Sequence, residues 1–215
     1  NVIAVSSLPS NGFRKGQIIN LEEATNTITQ SIESAERMAG FQIGNAVVSI
    51  TAPHIESLNA KGVVTVNNPG DEITAEDTQR VIDAAKAVNL PMGKEIIHVV
   101  PRIYTVDGQE GIVDPIGMSA NRLEIEAHLI LGSSPALKNL HRCLEDIGLK
   151  TDDIVYSGLA TAKAAITDTE KELGVALIDI GGSNTSITIF SESSPCYCAV
   201  LPVGANNVTN DLAIG

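Results

Sequence analysis

The pattern of this chain predicts an α/β fold with an α+β module inserted into it. Three observations carry that expectation. Hydrophobic residues make up 43% of the 215, but aromatics only 3% and Trp is absent. A core built from Val, Ile, Leu and Ala suits strands covered by helices. Residues 134–166 read helix, strand, helix, which is an α/β layer. Residues 47–132 read strand, helix, strand, strand, a module of different character, and a hairpin at 173–201 opens another half.

The elements follow in order. Val2 to Ser6 is a short strand candidate, and Gly12 to Gly16 a loop with basic Arg14 and Lys15. Asn20 followed by Glu23 resembles a capping box. The helix after it places Ala24, Ile28, Ile32, Ala35 and Met38 on one face, and Gly40 closes it. Ala46 to Thr51 and Gly62 to Val66 are strands, with a turn at Asn67-Asn68-Pro69-Gly70. Thr74, with Asp77 at the third position, caps a helix that turns Val81, Ile82, Ala85 and Val88 inward. Glu95 to Val106 and Arg122 to Leu131 are long strands. In the second, Leu123, Ile125, Ala127, Leu129 and Leu131 alternate with Glu124, Glu126 and His128, giving one dry face and one wet. Residues 107–119 form a loop by their Gly and Pro content. The loop is a candidate contact surface through Ile112, Ile116 and Met118, unless those three pack beneath it.

Ser134-Pro135 starts a helix with a buried stripe of Leu137, Leu140, Leu144 and Ile147, ended by Gly148. Asp153 to Ser157 is a strand, Leu159 to Ile166 a short helix, and Tyr197 to Leu201 a further strand before Gly204 leads into a final helix.

Charge narrows the function classes. A net charge of −12 argues against nucleic acid, which needs a basic face to displace counterions. It also argues against direct adsorption to anionic lipid. Cys143, Cys196 and Cys198 are odd in number and lack Cys-x-x-Cys, so a reducing cytosol and no zinc site are expected. The four histidines, His54, His98, His128 and His141, lack ligand spacing and read as structural. Glu22, Glu23, Glu33 and Glu36 read as a solvated helix face, and Glu110 and Asp114 as solvated loop charges. The chain starts at Asn1 rather than Met and stops soon after a helix begins, so both ends read as cut.

The most informative stretch is 172–190. An apolar run from Val175 to Ile178 ends in Asp179. Gly181, Gly182, Ser183, Asn184 and Thr185 follow, and Ile187 to Phe190 alternates again. This reads as strand, glycine turn, strand, with a carboxylate at the bend. The glycines permit positive φ and close approach of a ligand. Successive amides can form an anion-binding concavity. Asp179 would repel bare phosphate but could hold a hydrated Mg²⁺ bridging to one. The motif is neither a P-loop nor a dinucleotide fingerprint, because Gly-Lys-Ser/Thr and Gly-x-Gly-x-x-Gly are both absent. An ordinary hairpin with a glycine turn is the plain alternative.

Taken together, several segments resemble FtsA, the actin-like family of bacterial cell division. They are Gly12-Phe13-Arg14-Lys15-Gly16, His98–Asp107, Gly111–Met118, Gly158-Leu159-Ala160, Asp179-Ile180-Gly181-Gly182 and Val203–Ala213. The resemblance implies an actin-like (ribonuclease H-like) ATPase fold with a nucleotide cleft between two halves. Residues 1–46 and 133–171 would belong to the first half, 47–132 to the family's inserted SHS2-type subdomain, and 172–215 to the start of the second half. It further implies ATP and Mg²⁺ as ligands. Asp179, Gly181, Gly182, Ser183, Asn184 and Thr185 would form the second phosphate loop, Gly204 a second glycine turn near the phosphates, and Asp179 a water-mediated Mg²⁺ contact. The implied partners are FtsZ, later division proteins and further copies in filaments. The implied location is cytoplasmic, peripheral at the inner face of the membrane at the division site, through a C-terminal helix outside these residues.

Two departures stand out. The family commonly continues Gly-Gly-Gly-Thr-x-Asp, whereas Ser183 stands for the third glycine and Ser186 for the final Asp. The Cβ of Ser183 would restrict the turn, and the missing carboxylate weakens any case for strong hydrolysis. The family's first phosphate hairpin, adenine-binding remainder and FtsZ-tail site are also expected outside this stretch. A pilus-assembly (PilM-like) relative and an actin-superfamily sugar kinase or ATPase are the other readings. A kinase needs an acidic base near the cleft, and none stands near Ser157–Ala160.

Overall fold

The computed structural model describes residues 2–67 and 72–214. Val2–Ser6 is extended but joins no sheet. It is tied instead to the first helix by a Ser31–Ser6 hydroxyl contact of 3.3 Å. The expected loop at 12–16 is a small hairpin. β1 (Phe13–Arg14) and β2 (Gln17–Ile18) pair around Lys15 and Gly16, at φ of 51° and 72°. α1 (Leu21–Ala39) starts where Asn20 accepts the Glu23 amide at 3.3 Å and ends at Gly40, φ 82°. Of its expected inner face, Ala24 is buried and Met38 is exposed.

β3 (Asn45–Ile50) leads to β4 (Glu56–Thr65), α2 (Ala75–Lys86), β5 (Lys94–Val106), β6 (Gln109–Ile112) and β7 (Arg122–Ser133). Next come α3 (Ser134–Asp146), β8 (Lys150–Tyr156), α4 (Ser157–Ala165) and α5 (Asp168–Leu173). β9 (Val175–Ile180), β10 (Thr185–Ser191), β11 (Ser194–Leu201) and α6 (Ala205–Ile214) complete the order.

β4, β7, β5 and β6 form an antiparallel sheet in that order. The inner residues of β7, from Leu123 to Leu131, are buried at 2% exposure or less and pack with Val81 and Ala85 of α2. The helix is anchored by a reciprocal capping box in which Thr74 and Asp77 bond each other's backbone. Gly62 of β4 makes its close approach possible. A Cβ there would sit 2.2 Å from Val81 O and 2.7 Å from Ala85 N.

Several expectations are corrected here. β4 is twice the length read from its apolar half, because its polar residues Ser57 and Asn59 hydrogen-bond another strand, Ser57 half-buried and Asn59 at the exposed margin. The stretch 107–119 contains β6, folded back on β5 through Asp107 and Gly108, both at positive φ. Ile112 and Met118 pack on the core, whereas Ile116 and Val113 are exposed. The turn at 67–70 lies largely outside the described residues. α3 is capped by Ser133, not Ser134, and without a side-chain bond. α5 arises from a Thr167–Glu170 capping box that hydrophobic periodicity did not reveal.

β3 pairs in parallel with β8, so their C-terminal ends, at Thr51 and Ser157, lie side by side. The boundary expected at 46/47 therefore falls inside β3. The sheet β11-β10-β9 packs against this end through Tyr156, Ile55, Ile130, Cys198 and Val200. Burial pushes the Cys198 thiol up to about 12, consistent with a purely packing role. Gly62→Ala is expected to destabilise by about 1–3 kcal/mol through overpacking. Gly44→Ala meets nothing within 4 Å and is expected to stay within about 0.5 kcal/mol. Denaturant unfolding of both variants checks the contrast.

Candidate functional site

The candidate site is the turn 181–184, built where two antiparallel strands end. β9 and β10 pair Ile180 with Thr185 and Asp179 with Ser186. The turn is closed by the Gly181 amide donating to Asn184 O at 2.9 Å. Asp179 therefore lies within β9, one residue before its end, and not at the bend itself. Its half-buried side chain shares a face with buried Ser186 and Thr188. That face meets Tyr156, whose phenol is held above its ordinary value chiefly by burial, with smaller contributions from Cys198 and, least, Asp179, against hydrogen bonds from Thr188 and Ser186. Among the described residues Asp179 forms no ion pair.

The glycines act differently from the expectation. Neither Gly181 nor Gly182 has positive φ, and neither does Ser183, so its Cβ does not restrict the turn. Close packing of backbone on backbone is instead secured by Gly204. A Cβ on Gly204 would lie 2.4 Å from Gly181 O and 2.7 Å from Gly182 C and O. The first amides of α6, from Ala205 and Asn206, donate to Gly181 O and Gly182 O, each at 2.9 Å. The Thr185 hydroxyl donates to Val203 O at 2.8 Å, and the Gly204 amide to Asn207 Oδ1 at 3.1 Å. The amides of α6 are thus occupied by the turn. Among the described residues, those of Gly182, Ser183 and Asn184 reach no protein acceptor, leaving consecutive donors for an anion.

Asn184 turns inward and is only 8% exposed. Its Nδ2 donates to Thr51 O at 3.3 Å, while its Oδ1 has no protein partner. Thr51 and Ser157 hydrogen-bond through their hydroxyls. Gly16 closes over them, since a Cβ there would lie 1.9 Å from Thr51 O. Gly158 makes room for the hairpin, because a Cβ would come within 2.2 Å of Thr188 Oγ1. The structure thus brings all seven expected residues to one place, but divides them. Gly181, Gly182 and Ser183 present the loop. Thr185 and Gly204 brace it, Asn184 anchors it inward, and Asp179 sits on the adjoining sheet face.

Thr51, Ser157, Gly16 and Asn206 were not foreseen. A signal existed for the first two: each directly follows a parallel strand, and ligands of open α/β sheets bind beyond such carboxyl ends. A cavity of ≈ 570 Å³ runs between α1, α3 and β3 and touches the site only at Gly16 and Thr51. Its walls, including Ile28, Val48 and Leu140, are mainly aliphatic and unsuited to phosphate. A second space of ≈ 620 Å³ carries Glu110, Glu124, Glu126 and Glu192, which repel an anion.

A glycine turn seated at the ends of parallel strands, on a layer split by an inserted module, defines an actin-like protein. Residues 52–131 match the family described as the SHS2 domain inserted in FTSA, and residues 176–215 match the cell division protein FtsA. The chain belongs to the FtsA family. FtsA of Bacillus subtilis is 41% identical over 215 residues, covering 100% of this chain and 49% of that protein. FtsA of Pseudomonas aeruginosa is 40% identical over 213 residues, 99% of this chain and 51% of its own length. FtsA of Borreliella burgdorferi is 42% identical over 212 residues, again 99% of this chain and 51% of the relative. The chain thus spans about half the length of these relatives. Among solved structures, the PilM-PilN type IV pilus biogenesis complex aligns with TM-score 0.60 at 14% identity, over 96% of this chain and 55% of that one. That likeness concerns the fold. Among the described residues no helix is long and apolar enough to cross a membrane.

Gly204→Ala is expected to push the turn off α6 and cost about 1–3 kcal/mol. The check is hydrogen exchange: the Ala205 and Asn206 amides lose at least about tenfold in protection if 1.4 kcal/mol or more is lost locally.

Proposed function

We propose that this chain carries the second phosphate loop of an ATP-binding, polymerising actin-like adaptor of cell division. The single observation that supports it most is the run of amides at Gly182, Ser183 and Asn184 without a protein acceptor among the described residues, in a turn bonded to α6 at the ends of β3 and β8. In this reading those amides and the Ser183 hydroxyl receive phosphate oxygens, and the close backbone of Gly181, Gly182 and Gly204 lets the triphosphate approach. Thr185 and Asn184 hold the loop's shape. Asp179, half-buried and without an ion pair among the described residues, fits a hydrated Mg²⁺ contacted through water. When bound, Mg²⁺ screens the phosphate charge that the carboxylate would otherwise repel.

The role follows the family. With the first boundary moved from 46/47 to the end of β3, we assign residues 1–50 and 133–171 to the first half, 51–132 to the inserted subdomain, and 172–215 to the start of the second half. The whole protein would link FtsZ to the cytoplasmic membrane at the division site through a C-terminal helix, form filaments, and recruit later division proteins. Identity of about 40% to FtsA sequences, against 14% to the pilus-assembly neighbour, favours cell division over pilus assembly.

Titration of the full-length protein with ATP tests the reading. Wild type is expected to bind MgATP, and Asp179→Ala to weaken binding about tenfold or more, equivalent to ~1.4 kcal/mol. EDTA should weaken wild type to a similar degree. Equal MgATP affinity in the variant removes Asp179 from the site. Fast ATP or sugar-dependent turnover by the full-length protein overturns the adaptor role.

A further inference from the structure

Two histidines stand where the inserted module joins the α/β layer, and both act as hydrogen-bond acceptors for backbone amides. The chain crosses between the two units twice, through 51–55 on the way out and at Ser133 on the way back. His54 lies on the outward crossing, and its Nδ1 accepts the Ser133 amide at 3.2 Å on the return crossing. His98, on β5 within the module, accepts the Tyr156 amide through Nε2 at 3.0 Å, at the last residue of β8. Both contacts therefore span the joint. An imidazole nitrogen accepts only when unprotonated, so His54 must carry its proton on Nε2 and His98 on Nδ1. Protonating either ring sets N–H against N–H, removing the bond and leaving a partly buried amide unpaired.

We propose that His54 and His98 form a proton-sensitive latch that fixes the inserted module on the α/β layer, closed only while both rings are neutral. The module's orientation is then a property of the joint and not only of its own core, and acid releases it without unfolding the sheet β4-β7-β5-β6. This stands apart from the phosphate loop and holds whether or not that loop binds ATP.

The surroundings of both rings favour the neutral form. His54 faces Lys94 of β5, whose ammonium donates to His54 O at 2.6 Å and pairs with Glu56 of β4 at 2.8 Å. Burial, then the Lys94 charge, holds His54 below its ordinary value, and Glu56 acts the other way. His98 is lowered by burial and opposed by Asp153 of β8, beside a groove that also carries Glu95, Asp152 and His141. Protons therefore prefer the open joint. The latch is fully favoured above the free-imidazole value, about 6.5, and weakens as pH falls below it.

Hydrogen exchange of the intact protein, from about pH 8 to about pH 5 and corrected for intrinsic rates, tests this. The Ser133 and Tyr156 amides are expected to lose up to about tenfold in protection per pH unit below about 6.5, while amides of the β4–β7 ladder keep theirs. His54→Asn and His98→Gln, combined in one protein, place a non-titrating oxygen near each accepting nitrogen and are expected to restore flat profiles at both Ser133 and Tyr156, while each single variant keeps the dependence of the remaining histidine. Flat protection at both amides in wild type overturns the latch. So does an unchanged pH dependence in the combined variant, or loss of protection shared equally by the β4–β7 ladder. If a variant fails to fold, the wild-type profile alone decides.

Discussion

The site depends on one contact made without side chains. Residues 181–182 and 204 meet backbone to backbone, and at 204 only glycine leaves room for it. Once they meet, two amides of α6 bind the two turn carbonyls, and the turn cannot reorient without breaking both bonds. The carbonyls face α6, so the next amides are left pointing elsewhere. An anion site on a flexible loop must be ordered by its ligand, at a cost in affinity. Here the ordering comes with the fold. The same bonds tie α6 to the turn, although none of its described residues is buried.

The turn is also placed, not merely shaped. Asn184 reaches Thr51, and Gly158 admits the hairpin beside Tyr156, so the loop lies over the carboxyl ends of β3 and β8. β11 is held from the other side by the module, where Ser57 both donates to Cys198 O and accepts from its amide. Polar residues on β4 thereby satisfy an edge that would otherwise be open. The hairpin touches both the layer and the module, and so the joint secured by His54 and His98 bears on its position. The fixed negative charge lies mostly elsewhere, in solvated faces and in the carboxylate-lined space at Glu124, Glu126 and Glu192.

Local chemistry made much of the fold legible. Asn20, and Thr74 with Asp77, marked helix starts because caps act within three residues. The alternation in β7 declared its register because one face is dry. Periodicity failed where an element's partner was distant in sequence. β4 was half missed because Ser57 and Asn59 face β11, some 140 residues on, and polar alternation there mimicked a loop. β6 was missed because four residues, two of them Gln109 and Glu110, carry no apolar pattern. In the site, the expected residues do lie together, but not for the expected backbone reason. Neither Gly181 nor Gly182 takes positive φ, and the close approach falls at Gly204, whose Cβ would strike the turn backbone. Thr51 and Ser157 entered through parallel pairing, a long-range fact with no local signature.

The central claim is that the amides of the braced turn receive the phosphates of ATP. Amide exchange of the full-length protein with and without MgATP measures it most directly. The account expects slowed exchange at Gly182 and Ser183 on addition of MgATP, with Ala205 and Asn206 unchanged because they are already bonded to the turn. Binding of MgATP with no change at Gly182 and Ser183 would contradict it.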